Sequence, residues 1–416
     1  MTFNQEKILY FVKQLSFLMS VLVLFGLFTK GTQGVLNISS ILLFLTTLYY
    51  LISSSCYSNV ILGIKRFLLS RKCFVLFNVW CVFVIVFFSY DGFSGITFSE
   101  YLKDWRYISI LFFFYMVFSE YSDEIRKYFL LATIITLSYI CFFVPVQRLF
   151  GSNPQELYLQ LRYGFAFYVV LLFPFSFTSI FFVNRWLYKI FFIILSFSAL
   201  LFLIYTGSRG GILSLIIEVF IAMYFLAKNK KQFFVSLTSF IFLLFMVLSI
   251  AYYSVDRAKI KIDQSMNVSG ITSNRDKILE TRFPIIVDGY NNLLFGIGYG
   301  SSSYNDYLTN HQAPKISGGG FTSKGVYKYN NDEPFFITLT YNIGVIGLII
   351  FLLSFIVNIK ILLADVFSSK NRMNISLISS MIGYFFVYCI FESMFMDIYF
   401  LFTIVIFFFS RKSIHN

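Results

Sequence analysis

The chain is poor in charge and in the residues that build metal and disulfide frameworks. Only 13% of its 416 residues are Asp, Glu, Lys or Arg, against 58% hydrophobic. Soluble domains run at about 25% charged and roughly 45–50% apolar. A soluble chain of this length is therefore excluded, and most of it must be solvated by lipid. Histidine is nearly absent, with two residues, and the five cysteines Cys56, Cys73, Cys81, Cys141 and Cys389 lie in or beside hydrophobic stretches without paired spacing. That excludes a disulfide framework and leaves no metal-ligand cluster. The net charge of +13 comes with no zinc-ligand spacing and no aromatic RNA-binding signature, so no nucleic-acid partner is expected. The first hydrophobic stretch lacks a small-residue cleavage site and is expected to be a retained span. No internal repeat marks an inverted-repeat transporter.

What is present is a series of long apolar runs. A bilayer core about 30 Å thick needs roughly 20 apolar residues per helix. Runs of that kind predict twelve spans, at 9–28, 35–53, 73–90, 105–119, 128–146, 163–183, 187–205, 211–227, 233–253, 335–358, 373–391 and 396–410. Backbone groups in lipid must satisfy one another, so the spans are helices. The runs are uniformly apolar, which excludes the alternating pattern of a membrane barrel. The predicted fold class is an all-α integral membrane protein of about twelve transmembrane helices. The 57 phenylalanines exceed what a membrane needs and are read as compositional bias.

Lysine and arginine orient the bundle. With the N-terminus inside, the inner segments hold 18 of them and the short outer segments six: Lys30, Lys103, Arg106, Arg148, Arg162 and Arg209. The other nine lie in one long loop, 254–334, and long loops are exempt from the positive-inside rule. Both termini are therefore expected inside and the loop outside. Three regions follow: helices one to nine in 1–253, the extracytoplasmic loop 254–334, and helices ten to twelve with an inner C-terminus in 335–416. Within the loop, residues 274–292 have a mixed periodicity that suits a short helix near the membrane surface.

Several residues are candidates for chemistry. Thr206-Gly207-Ser208-Arg209-Gly210-Gly211 joins two spans on the outer side with almost no loop. An arginine at the membrane boundary is costly unless it meets water or an anion, and the helix start after it adds a positive dipole end. A tight turn with a snorkelling arginine is the alternative. Arg275, Lys277 and Arg282 open the loop ahead of Leu294-Phe295-Gly296-Ile297-Gly298-Tyr299-Gly300, and arginine can grip phosphate oxygens bidentately. Taken alone, a solvated charged loop explains them better. The glycine pattern lies outside a strand–turn–helix unit, so a dinucleotide site is excluded. Asp332 and Glu333, just before Pro334, offer a general base or a helix cap. His311 lies in the polar middle of the loop, where a lone histidine is usually solvated. Arg162, Arg148 and Arg106 also face outward at span ends and hint at an anionic partner. Glu218 sits about two turns inside the eighth span, where a carboxylate is a functional suspect unless another helix supplies a partner.

These motifs, in this order and topology, resemble the O-antigen polymerase and ligase superfamily of bacterial membrane glycosyltransferases. The likeness is carried by Thr206–Gly211, Asn274-Arg275-Asp276, Leu294–Gly300, Phe335–Leu339 and Tyr341–Leu348, with Arg162-Tyr163-Gly164 at the start of an earlier span. The resemblance implies a GT-C-like bundle in the bacterial cytoplasmic membrane and a metal-independent enzyme with no cofactor. It implies a polymerase that joins polyprenyl-diphosphate-linked oligosaccharide repeat units into a surface polysaccharide, O-antigen or capsule. The carrier lipid is donor and acceptor, and a chain-length regulator protein is an implied partner. Arg209 and Arg275 would bind the departing diphosphate, with Arg162 and Arg282 as looser candidates. The superfamily's ligases carry a histidine near the end of the long loop. Here Tyr329–Pro334 contains none, which favours polymerase over ligase; the few mid-span charges, Glu218 being the clearest, speak against a lipid-linked glycan flippase. The general base is left among Glu333, Asp332 and His311.

Overall fold

A computed structural model describes residues 3–29, 33–90, 92, 95–149, 154–254, 259, 263, 275–315, 320–321, 327–329, 334–369 and 371–410. Helices dominate. They are α1 Phe3–Leu27, α2 Gln33–Ser54, α3 Tyr57–Ser70, α4 Lys72–Phe87 and α5 Gly95–Val117. Next, α6 Ser122–Ser138 runs on through a π-helical segment, Tyr139–Phe143, into Val144–Leu149. Then come α7 Pro154–Phe182, α8 Trp186–Thr206, α9 Arg209–Leu226 and α10 Lys230–Ser254. The long loop contributes α11 Arg275–Ile286, α12 Tyr290–Phe295 and α13 Ser301–Asn310. The chain closes with α14 Phe335–Ser369, α15 Arg372–Ile382, which extends through a second π-helical segment to Phe391, and α16 Met396–Phe409. Two two-residue strands, Gly320–Phe321 and Tyr327–Lys328, pair antiparallel within the loop.

The chain is an all-α integral membrane protein. Among the described residues, nine helices are individually long and apolar enough to cross a bilayer. Each of the twelve expected spans corresponds to a helical segment. The three outside that count are α4, α5 and α16, the first being short, the second charged in its opening turns and the third only 14 residues long.

Three boundaries differ from the sequence expectation, each for a physical reason. First, α3 was not expected; it meets α4 at 85° and alternates exposed Ile61, Leu62, Leu68 and Leu69 with buried Val60 and Phe67. Its mixed face never forms an apolar run, and it lies across the end of the bundle opposite the long loop. Second, α5 begins at Gly95, ten residues before the expected span 105–119. Its first turns, 95–104, carry Glu100, Lys103 and Asp104 and stand beyond the apolar stretch. Third, α14 continues to Ser369 with a break at Gly344, where φ is +74° and ψ 174°.

Burial ranks the helices by depth. Every residue of α16 except Asp397 is buried. A helix apolar on all faces belongs at the centre of a bundle, and α16 occupies it, ringed by Phe74, Phe77, Trp105 and Phe175. At the other extreme, only 11% of the most apolar stretch of α10 is buried, which puts that helix at the lipid-facing rim.

The break in α14 is where loop and bundle interlock. The peptide carbonyls of Tyr341, Asn342 and Ile343 precede Gly344 and would otherwise lose their helical partners. Ile297 N–H donates to Tyr341 O at 2.8 Å, Gly298 N–H to Asn342 O at 3.2 Å, and Trp80 Nε1–H to Ile343 O at 2.9 Å. Irregular backbone near a membrane is tolerated where protein supplies the missing bonds. Gly344 is required on two counts: its φ suits glycine, and a Cβ there would stand 2.0 Å from Leu294 O.

Candidate functional site

The Thr206–Gly211 turn is built by two capping devices. Gly207 adopts the left-handed conformation, φ +59°, and ends α8, with its N–H donating to Ile204 O at 3.0 Å. Ser208 then caps α9, its Oγ accepting from Gly211 N–H at 3.3 Å. Arg209 is thereby the first residue of α9, half-buried, on the side of the bundle that carries the long loop. Gly210 and Gly211 are small because neighbours crowd them. A Cβ on Gly210 would lie 3.1 Å from Phe391 Cβ, and one on Gly211 2.9 Å from Ser208 Oγ.

The segment Phe391–Met396, between α15 and α16, is a junction. One side touches the Arg209 turn through Gly210, Phe391 and Glu392. Glu392 O accepts from Phe335 N–H at 3.2 Å, which ties the segment to the first residue of α14. Phe395 packs at a tilt against Phe167 of α7, ring centroids 5.1 Å apart; Arg162 lies five residues earlier on that helix. On the far side of the segment is a cavity of about 410 Å³. Its walls are Ser393–Met396, the first turns of α14 (Phe335, Thr338, Leu339, Asn342), the turn Tyr299–Ser301, and Glu100, Lys103 and Asp104 of α5.

The two carboxylates in that wall do different things. Glu100 faces the start of α13: Ser302 N–H and Oγ donate to it at 3.4 and 2.6 Å, and Ser301 Oγ at 3.3 Å. A carboxylate there satisfies helix-terminal donors and complements the dipole. Gly300, φ +93°, gives it room, since a Cβ would come within 1.9 Å of Glu100 Oε2. Asp104 accepts from Tyr299 O–H at 2.5 Å through Oδ2. Its Oδ1 has no hydrogen-bond partner among the described residues. Burial pushes the Asp104 carboxyl up to about 6; the Tyr299 bond opposes that rise and the Glu100 charge adds to it. Neither carboxylate was singled out from sequence. The signal was available in an acid pair one turn apart, ahead of a span, in a chain with 20 acidic residues.

The sequence candidates fall in several places. Arg209 is on the junction. Arg275 opens α11 and Arg162 lies in the first turns of α7, but their side chains lie outside the described residues, as do Asp332 and Glu333 altogether. Arg282 is 2% exposed. It donates to Tyr304 O–H at 2.8 Å and sits over the rings of Tyr304 and Tyr329 at 5.9 and 5.3 Å. The structure therefore places it in the loop's own core, with Ile286, Tyr304, Tyr307 and Leu308, rather than on an open anion-binding face. His311 ends α13, exposed, stacked at 4.1 Å on Tyr307 with Nδ1 2.9 Å from Tyr307 O. It is not part of the cavity wall. Glu218 packs on the backbone of Gly383, and neither carboxylate oxygen has a hydrogen-bond partner among the described residues.

Residues 191–352 match the family model described as O-antigen ligase. That stretch, fewer than half of the 416 residues, is similar to the family's domain. The matched stretch runs from within α8 through the Arg209 turn and the long loop to just past the break in α14. The match fits the O-antigen polymerase and ligase superfamily, and supports an activity of that type on lipid-linked glycans in a membrane. Among curated proteins, none matches the chain. The α5 wall of the cavity lies outside the matched residues.

Proposed function

We propose that the protein joins polyprenyl-diphosphate-linked oligosaccharides at the outer face of a bacterial cytoplasmic membrane, acting as a repeat-unit polymerase. The observation that carries the reading is Arg209, fixed at a helix N-terminus on the loop side, within a matched O-antigen ligase domain and against a segment that borders a polar cavity. A departing diphosphate needs positive charge placed in advance. Arg209 and the positive dipole end of α9 suit it, and Arg275 opens the loop helix in the same matched domain. Arginine supplies this charge without a metal. The 18-to-six bias of lysine and arginine supports placing the loop side outward.

Polymerase is preferred to ligase because Tyr329–Pro334, the end of the loop, contains no histidine. The test is a glycan ladder from a deletion strain complemented with variants. Arg209→Ala and Arg275→Ala are each expected to abolish long-chain glycan at unchanged protein level, with a single repeat unit still attached to the final acceptor. A normal ladder in both variants would refute diphosphate binding by these arginines. Loss of the single unit as well would favour ligase or flippase.

A further inference from the structure

The proposed glycosyl transfer requires a second group besides a diphosphate grip: a base for the attacking hydroxyl. Asp332 and Glu333 lie outside the described residues, and His311 is engaged with Tyr307 away from the cavity. The cavity at the Phe391–Met396 junction supplies another arrangement. Its volume, about 410 Å³, falls in the range of small-ligand sites, roughly 300–1,000 Å³. Its lining mixes apolar groups (Phe335, Leu339, Phe395) with hydrogen-bonding ones (Thr338, Asn342, Ser393), which match the two kinds of surface that a sugar ring presents. Asn342 Oδ1 is buried and has no hydrogen-bond partner among the described residues. A buried acceptor in a cavity wall can take a donor from a ligand, and a sugar hydroxyl is such a donor.

We propose that this cavity receives the acceptor sugar and that Asp104 removes the proton from its attacking hydroxyl. Glu100 is occupied by Ser301 and Ser302, so it serves as the clamp of the loop. Asp104 has one oxygen fixed by Tyr299 and the other open. In the step, the acceptor oxygen forms a bond to the anomeric carbon of the donor sugar as the bond from that carbon to the diphosphate oxygen breaks. The electron pair leaves with the polyprenyl diphosphate, and the hydroxyl proton passes to Asp104 and then to water. The groups facing Asp104 are Glu100, Tyr101 and Lys103 on α5, Cys81 on α4, and Tyr299 on the loop turn. The start of α14 and Ser393–Met396 bring no charged group to the cavity wall. Burial holds the Asp104 carboxyl at about 6, so it is ionised and basic at neutral pH.

The inference rests on the glycosyl-transfer reading, and one experiment separates the two. The full chain in lipid nanodiscs is given repeat-unit lipid purified from the deletion strain, and chain growth is followed against pH. Binding of undecaprenyl diphosphate is measured alongside. Asp104→Asn is expected to slow chain growth by about 10²–10⁴-fold, the usual worth of a general base, with undecaprenyl diphosphate binding unchanged. The native rate should fall below about pH 6, and Asp104→Asn should lack that limb. Asp104→Glu should recover part of the rate. An Asp104→Asn rate within tenfold of native, or a retained acid limb, overturns the assignment and leaves glycosyl transfer standing. Loss of undecaprenyl diphosphate binding in Asp104→Asn marks a structural role and also overturns it. A native chain that neither extends glycan nor binds undecaprenyl diphosphate overturns both.

Discussion

Replacing Asp104 with asparagine should make the protein more stable, and the gain should depend on pH. Burial lifts this carboxyl from its ordinary 3.8 to about 6. The gap corresponds to an upper bound of about 3 kcal/mol held against the ionised form in the folded state. The direction follows from linkage. Below 3.8 the group is protonated whether folded or unfolded, and no penalty applies. Between 3.8 and about 6 the folded form increasingly retains a proton that the unfolded form has lost. Above about 6 the penalty is complete. Asparagine keeps an oxygen for Tyr299 but weakens a bond to a charged acceptor, worth about 1.5–3 kcal/mol, to a neutral one, worth about 0.5–1.5 kcal/mol. That loss is already counted in the net pKa. Incomplete desolvation and relaxation reduce the bound, so a gain of about 1–2 kcal/mol is expected at pH 7.5. For a chain of this size that is a rise of a few degrees in apparent Tm at most. The assay is thermal unfolding of detergent-solubilised native and Asp104→Asn protein at pH 7.5 and about pH 3, below the ordinary carboxyl value of 3.8. The difference should be positive at the first and vanish at the second. A destabilised variant at pH 7.5, or an equal difference at both, would refute the claim that Asp104 is an ionised group held at a cost.

Two further outcomes concern architecture. Gly344→Ala places a Cβ 2.0 Å from Leu294 O at a φ of +74°. The strained backbone alone costs about 1–2 kcal/mol, and no side chain can move to relieve the contact. A lowered Tm and faster proteolysis within 254–334 are expected. Native behaviour on both counts would mean that the break does not hold the loop. Arg282→Met removes the bond to Tyr304, a hydrogen bond from a charged donor worth about 1.5–3 kcal/mol. It should raise protease sensitivity in the loop, whereas a variant whose loop is as protected as native but which no longer binds undecaprenyl diphosphate would return Arg282 to the diphosphate site.

The spans were legible because lipid enforces a length and a composition that no packing choice relaxes. The Arg209 turn was legible because glycine, serine and arginine at that spacing have few uses between two apolar runs. The break at Gly344 was hidden: Tyr341–Leu348 reads as continuous helix, and the bonds that make the break tolerable come from residues 297, 298 and 80. For the same reason α5 was read too short. Its charged opening turns look like loop until Ser301, Ser302 and Tyr299, about 200 residues later, are seen to meet them. Arg282 shows the opposite case. Its charge was visible and suggested an anion, while its aromatic partners Tyr304 and Tyr329 lie 22 and 47 residues away.

The geometry around Asp104 follows from backbone constraints rather than from side-chain packing alone. Ile297 and Gly298 are pinned by the carbonyls that the α14 break exposes. Ser301 and Ser302 are pinned by Glu100. Tyr299 and Gly300 are all that lies between these fixed points, so the Tyr299 hydroxyl has little freedom once both are made. Two glycines with positive φ, Gly298 and Gly300, flank it and turn the chain so that it reaches α5. The break in α14, the clamp on α13 and the Tyr299–Asp104 bond therefore form a single device. Disturbing the break should reach Asp104 through Tyr299.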